Sequence, residues 1–149
     1  MVIFMEKKEM LAEVKVKVDA IIIKDFNKEG AMMQYNSSGE VKGRYHGNHI
    51  ETVDALFKMD GTSEWESRGM DMTKDGDLIM MTAKGTGRSE SATTSSFKGE
   101  VTYMTNAPRL SWLNNMKGWV EGMMDLKNGQ AEMKVYAEQP QATIAAPMM

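Results

Sequence analysis

Two charged residues, Glu66 and Arg68, have the clearest chemical potential in this sequence. They lie two apart in "SEWESRGM", a segment that alternates like a β-strand, so their side chains point to the same side. A carboxyl group in apolar surroundings can act as a general acid or base, and a guanidinium can bind a carboxylate through two hydrogen bonds. We therefore take Glu66 and Arg68 as candidate ligand-binding residues, and as the catalytic residues if the protein is an enzyme.

Further candidates lie in the connection "NAPRLSWLNN", residues 106–115. Pro and Asn are typical of turns, but turn chemistry does not explain Arg109 and Trp112. If residues 107–114 form a short helical plug, Trp112 closes one end of the fold, and Arg109 or Asn114 reaches inward or caps strand ends. Two interpretations stay open: a structural plug with a satisfied arginine, or a cluster in which Arg109 joins Glu66 and Arg68 as ligand-binding residues.

Other kinds of chemistry have few residues to support them. The chain has no Cys, which excludes disulfides, thiol nucleophiles and Cys-based zinc sites. His46 and His49 in "RYHGNH" could provide a base or a metal pair, but no third ligand has suitable spacing, and we expect both to be exposed in a glycine-rich turn. No cofactor and no metal site is predicted.

The elements that must position these residues are β-strands. Alternation as in "EVKVKVDAIII" recurs along the chain, and Asp60-Gly61, Asp75-Gly76 and Asn128-Gly129 are typical of two-residue hairpin turns. No amphipathic helix is available to cover an apolar sheet face, and closing the sheet removes its edges. The sequence predicts an all-β fold, a single antiparallel meander closed into a barrel of about eight strands, with one short helical turn near 107–114. A two-sheet sandwich is the alternative. The domain spans residues 1–138, and residues 139–149 form a flexible tail.

Turn geometry assigns the faces of the strands. With two-residue turns, Met124 lies opposite Met133 and the inner face of that hairpin is wholly apolar. The same pairing places Arg68 and Glu66 on a face shared with Met70, Met81 and Phe57. These three apolar residues join the ligand-binding candidates.

Composition narrows the range of partners. The net charge is -3, with 18 basic and 21 acidic residues and no basic stripe, so nucleic acid is not an expected partner. The opening "MVIFMEKKEM" has too short an apolar run for a signal peptide or a membrane span, which predicts a cytoplasmic protein without a membrane partner. The 17 methionines fit either an adaptable cavity lining or an ordinary core.

The segments "RGMDMTKDGDLIMM" and "YMTNAPRLSWLNN" resemble an uncharacterised bacterial family, a domain of unknown function, of small β-barrel proteins. Its pattern runs acidic-x-Arg, then Asp-Gly-x-Leu-Ile, then Thr-x-x-Pro-Arg-x-x-Trp-Leu-Asn, and ends in a strand with Val-Tyr. The chain departs from it in the "GRYHGNH" loop and in a short connection after Arg88. The resemblance implies a closed barrel akin to lipocalin-like and cyclase-type barrels, and a possible role for the matched polar residues. The matched residues are Glu66, Arg68, Asp75, Gly76, Leu78, Ile79, Thr105, Pro108, Arg109, Trp112, Leu113, Asn114, Val135 and Tyr136.

Three functions remain open on this sequence. The first is binding of a small, partly apolar, anionic molecule inside the barrel. The second is a cofactor-independent isomerase, cyclase or lyase with Glu66 as acid or base. The third is a structural or assembly module in which outward Trp65, Trp119 and Met123 form a subunit interface, and a homo-oligomer is expected in each case.

Overall fold

The structure, a computed structural model, describes residues 8–138 as eight β-strands and one short 3₁₀ helix. All strands are antiparallel to their neighbours, and pairing of the first strand with the last closes the sheet. The predicted fold, a closed all-β meander with one helical turn, is confirmed. The elements are β1 (Lys8–Phe26), β2 (Gly30–Gly43), β3 (Gly47–Lys58), β4 (Thr62–Thr73), β5 (Leu78–Ser89), β6 (Thr94–Thr105), the 3₁₀ helix (Pro108–Asn115), β7 (Gly118–Asp125) and β8 (Gln130–Glu138).

The hairpin loops on both sides of β4 are one residue longer than two-residue turns. In each loop the glycine has a positive φ, 89° at Gly61 and 88° at Gly76, as in a turn that ends in a left-handed residue. The pairs are therefore Phe57 with Ser63 and Met72 with Leu78. Since neighbouring residues of a strand point to opposite faces, a shift of one residue turns the side chains of β4 over relative to the prediction.

The loop between β7 and β8 is two residues longer than predicted, and its strands keep their faces. Met124 pairs with Ala131 rather than Met133. A shift of two leaves the same side chains inward, so Val120, Met124 and Val135 are buried as predicted.

The 3₁₀ helix closes one end of the barrel. Leu110 and Leu113 are buried in the same core cluster as Leu11 and Ile79. The Asn114 side chain fixes the helix to β6, because its Oδ1 accepts from the Thr105 N–H at 2.8 Å and its Nδ2 donates to the Thr105 carbonyl at 3.0 Å. Asn114 thus caps the end of a strand, one of the two roles foreseen for it.

The predicted flexible tail, residues 139–149, lies outside the described residues. Between residues 8 and 138, no helix has the length and apolar character needed to cross a membrane.

Candidate functional site

The prediction that Glu66 and Arg68 face the interior is wrong. The one-residue shift at both ends of β4 places their side chains on the outer wall, where both residues are exposed. The Arg68 side chain is 62% exposed and donates to Asp54 at 2.9 Å. Trp65, expected outside, instead points inward and packs edge-to-face on Phe97 with ring centroids 6.0 Å apart.

Room for Trp65 comes from Gly99 on β6, two strands away in the sheet. A Cβ at Gly99 would stand 2.9 Å from the Trp65 ring, so a larger residue there would collide with it. The inward face of β4 therefore consists of one large aromatic ring and small or polar residues. With Glu66 and Arg68 on the outer wall, the fold avoids burying two unpaired charges, which would cost several kcal/mol per ion.

The predicted apolar candidates are divided between the two faces. Met81 and Phe57 line an interior cavity, as expected. Met70 lies outside and is 39% exposed. It belongs to an exposed apolar row on the outer wall, in which adjacent strands pair Ile50 with Met70, Met70 with Met80 and Met80 with Met104; we call these four residues the methionine row.

Arg109 and Trp112 hold the helical plug in place from outside. Arg109 pairs with Asp75 at 2.8 Å and with Asp77, both in or beside the loop after β4. Trp112 is half-buried, and the Arg44 guanidinium lies 4.3 Å from its ring centroid in a cation–π contact. The structure thus places Arg109 in a satisfied structural role and does not bring it near the barrel interior.

A cavity of about 80 Å³ occupies the barrel interior. Its wall is largely apolar and includes Val53, Phe57, Met81, Phe97, Met124 and Met133. The residues at the end away from the helical plug, among them Ser63 and Ser95, are only half-buried, so solvent reaches the cavity from that side.

A polar cluster lies at the closed end of this cavity, towards the helical plug. His49 on β3 and Asp71 on β4 are directly opposite, and the His49 Nδ1 is 2.5 Å from the Asp71 Oδ1. The other ring nitrogen, Nε2, is 2.6 Å from the Glu51 Oε1. Tyr45 donates its hydroxyl to the Asp71 Oδ2 at 2.6 Å. We call Tyr45, Asp71, His49 and Glu51 the interior relay.

The surroundings of His49 favour its protonated form. Burial alone would lower the pKa of His49, but the hydrogen bonds with Asp71 and Glu51 and their negative charges raise it from 6.5 to about 9. As an imidazolium, His49 donates from both nitrogens at once, which satisfies one oxygen of each carboxylate.

The tyrosines around the cluster remain hydroxyl donors. Burial, with Tyr103 and Asp71 nearby, raises the pKa of Tyr45 above its ordinary value. Burial and Asp71 do the same to the pKa of Tyr103, and burial and Glu51 to that of Tyr35. All three tyrosines line the cavity, and since Tyr45 already donates to Asp71, the hydroxyls of Tyr35 and Tyr103 are those that can donate to a further acceptor.

Ser37 is the buried side chain whose hydrogen bonding is incomplete. It is 3% exposed and lines the cavity, and its Oγ has no hydrogen-bond partner within residues 8–138. Its partner across the strand pair is Glu51, and on the far side of Glu51 stands Gly69, which has no side chain to fill the space. Ser37 and Glu51 therefore face the same part of the cavity.

In the part of the chain that the structure describes, no group of three or more His, Cys, Asp or Glu is arranged to hold a metal ion. Both ring nitrogens of His49 are already engaged by carboxylates.

The expectation that His49 is exposed is wrong, and a signal for its burial was present in the sequence. Phe57 lies on the inner face of β3, as the sequence predicts, and Val53 and Ala55 are buried on the same face. Continuing that face by two and four residues towards the start of the strand gives Glu51 and His49, since alternation is strict along a strand. The burial of Asp71 was not predicted, because two-residue turns on both sides of β4 would place its side chain on the solvent-exposed face.

No protein-family model matches the chain, and no curated protein matches it either. Solved structures do resemble it. A protein of unknown function from Clostridium acetobutylicum superposes with a TM-score of 0.81 at 18% identity, covering 93% of this chain and 100% of its own. A β-barrel-like protein from Acinetobacter baumannii gives 0.80 at 18% identity, covering 93% and 99%. An enzyme from Penicillium herquei gives 0.70 at 18% identity, covering 93% and 98%. At these identities the likeness shows a shared β-barrel fold.

Proposed function

We propose that this protein binds a small, partly apolar, uncharged molecule in the barrel interior, with the polar group of the ligand directed at Ser37 and Glu51. The observation that carries the proposal is the Ser37 Oγ, a buried hydroxyl on the wall of a cavity that has no partner among the residues the structure describes. Leaving such a group unsatisfied costs about 1–3 kcal/mol, which a hydrogen-bonding ligand would recover.

The size of the cavity limits the ligand. At about 80 Å³ it is well below the roughly 300–1,000 Å³ typical of sites for drug-sized molecules. A ligand of one ring or a short chain fits this space, and the flexible side chains of Met81, Met124 and Met133 can adapt to its shape.

The charge of the cavity argues for an uncharged ligand. Two carboxylates and one imidazolium give the interior relay a formal charge of minus one, and within residues 8–138 no Lys or Arg lines the cavity. The anionic ligand expected from the sequence depended on Arg68 and Arg109, which both lie outside. The proposal therefore keeps the partly apolar character of that ligand and drops its negative charge.

Binding can be tested by NMR, with the protein labelled at its Met methyl groups and their chemical shifts recorded. Titration with a panel of small cyclic ketones and phenols should shift the methyl signals of Met81, Met124 and Met133. The signals of Met80 and Met104 in the methionine row serve as internal controls and should not move.

Two variants sharpen this experiment. Ser37→Ala should weaken binding by about 2- to 10-fold, the value of one net hydrogen bond. Ala83→Leu, on the cavity wall, should abolish binding while circular dichroism shows an intact barrel. Shifts confined to the outer methionines, or equal affinity in all three proteins, would contradict the proposal.

The cytoplasmic location and the homo-oligomer expected from the sequence remain proposals as well. For assembly, the methionine row offers an exposed apolar surface of the kind that protein interfaces cover.

A further inference from the structure

The interior relay is a continuous hydrogen-bonded chain that ends at the cavity. It runs from the Tyr45 hydroxyl through Asp71 and His49 to the Oε1 of Glu51. The Glu51 side chain is 12% exposed, and its second oxygen, Oε2, has no hydrogen-bond partner within the described chain. One carboxylate oxygen is thus held by the protein while the other is available to a ligand.

Stability alone does not account for these charges in the barrel. Replacing a buried ion pair by well-packed apolar side chains is often neutral or stabilising, so buried charges are weak evidence for a structural role. Here Asp71 is 1% exposed and His49 3% exposed, inside a cavity whose wall is largely apolar. Titratable groups arranged in this way in a cleft are candidates for chemistry.

We propose that Glu51 is a catalytic base that moves a proton between two carbon atoms of a small bound ketone, a cofactor-independent isomerisation that rests on the binding function proposed above. The Glu51 Oε2 takes a proton from the carbon beside the carbonyl group. The C–H bond breaks, an O–H bond forms on Glu51, and the electron pair is delocalised onto the carbonyl oxygen as an enolate. The bound ketone is β,γ-unsaturated, so its enolate extends over the C=C bond, and Glu51 returns the proton two carbons further along. The O–H bond on Glu51 breaks, a new C–H bond forms there, the C=C bond moves next to the carbonyl group, and the C=O bond is restored.

Ser37 is placed to stabilise the enolate. It is the direct cross-strand partner of Glu51, and such pairs have Cβ atoms roughly 4.5–5.5 Å apart, close enough for both to contact one small molecule. Its unpaired hydroxyl can donate to the enolate oxygen, as donors do at sites where negative charge develops. No oxidant or reductant is needed, because the substrate and product of this step are isomers.

His49 and Asp71 are positioning residues in this scheme. The His49 imidazolium donates to the Oε1 and so orients the carboxylate of Glu51 towards the cavity, while Asp71 holds the imidazolium from its other side. Besides His49, Asp71 and Glu51, the titratable groups of this region are Tyr35 on β2, Tyr45 before β3 and Tyr103 on β6.

The test uses the full-length protein and the β,γ-unsaturated isomer of cyclohexenone, whose conversion to the conjugated ketone is followed by ultraviolet absorbance. The wild-type protein should catalyse the conversion. Glu51→Gln should slow it by at least about 100-fold, the usual contribution of a positioned base. Ser37→Ala should slow it by about 100-fold as well, the lower range for loss of one enolate-stabilising donor. Glu121→Gln, an exposed glutamate on the outer face of β7, is the matched control and should be unaffected.

A pH profile separates positioning from a merely structural role. In the wild-type protein the rate should fall on the alkaline side near pH 9, where His49 loses its proton. Asp71→Asn removes the partner that favours the imidazolium, so the alkaline fall should move to lower pH. A profile that does not move would show that Asp71 does not act through His49.

The Met methyl spectra recorded with the same ketone distinguish the failure of catalysis from the failure of binding. Shifts at the cavity methionines without conversion would overturn the catalytic role of Glu51 and leave the binding function standing. Conversion that survives in Glu51→Gln, or that is lost in Glu66→Gln instead, would also overturn it. If the panel of small ketones and phenols produces no shifts at all, the binding function fails and the catalytic inference fails with it.

Discussion

His49 should make the stability of this barrel depend on pH in a range where few other groups titrate. The pKa of His49 is raised from 6.5 to about 9 in the folded protein, so the folded state holds a proton that the unfolded state releases earlier. The resulting stabilisation is complete below pH 6.5 and is lost as the pH rises towards 9. At about 1.4 kcal/mol for each pH unit, the loss amounts to roughly 3 kcal/mol. Solvent screening is small, because the His49 side chain is 4% exposed.

The assay is urea unfolding of the wild-type protein and two variants from pH 6.5 to pH 9. The chain has two histidines, and the second, His46, is exposed. His46→Gln should therefore lose stability with pH as the wild type does. The triple variant Asp71→Asn, His49→Gln, Glu51→Gln puts neutral polar side chains of similar size at these positions and removes every charge of the interior relay, so its unfolding free energy should be flat over this range.

The upper limit of pH 9 keeps the tyrosines out of the measurement. Burial and nearby groups raise the pKa values of Tyr45 and Tyr103, so these residues cause a loss of stability of the same sign once the pH passes the ordinary tyrosine value of 10. A wild-type protein whose stability does not change between pH 6.5 and 9 would refute the reasoning. So would a pH-dependent loss of equal size in the triple variant.

Three further substitutions test individual contacts. Asn114→Ala removes both side-chain hydrogen bonds to the Thr105 backbone and should lower the unfolding free energy by about 1–2 kcal/mol in urea titrations; an unchanged midpoint would show that the strand end needs no cap. Arg68→Ala breaks an exposed pair with Asp54 and should cost less than about 1 kcal/mol, whereas a loss of several kcal/mol would indicate that Arg68 is buried after all. Met80→Glu places a charge in the centre of the methionine row and should lower the mass seen by sedimentation; the same mass as the wild type would exclude that surface as the interface.

The barrel could be predicted because its closure depends on features that the sequence carries locally. Alternation marks each strand, and the Asp-Gly and Asn-Gly pairs mark the reversals. The faces of the strands depend in addition on whether each loop has an odd or an even number of residues. Asp75-Gly76 fits a two-residue turn and the end of a three-residue loop equally well, because both give the glycine a positive φ such as the 88° found at Gly76.

The Asp71 part of the candidate site was missed through that ambiguity. With β4 inverted, its inner face would contain Met70 and, by alternation, Met72, while Asp71 between them would face water. In the structure both methionines lie on the outer wall, at 39% and 48% exposure, and Asp71 is 1% exposed. The contacts that define the site join β3 to β4, so they could not be deduced until the register of that pair was known.

The most direct test of the account is a crystal structure of the protein soaked with conjugated cyclohexenone. We predict that the ring lies among Met81, Met124 and Met133 and that its carbonyl oxygen accepts a hydrogen bond from the Ser37 Oγ beside Glu51. A cavity filled by repacked side chains, or a ligand bound on the outer wall next to Arg68, would contradict the central claim.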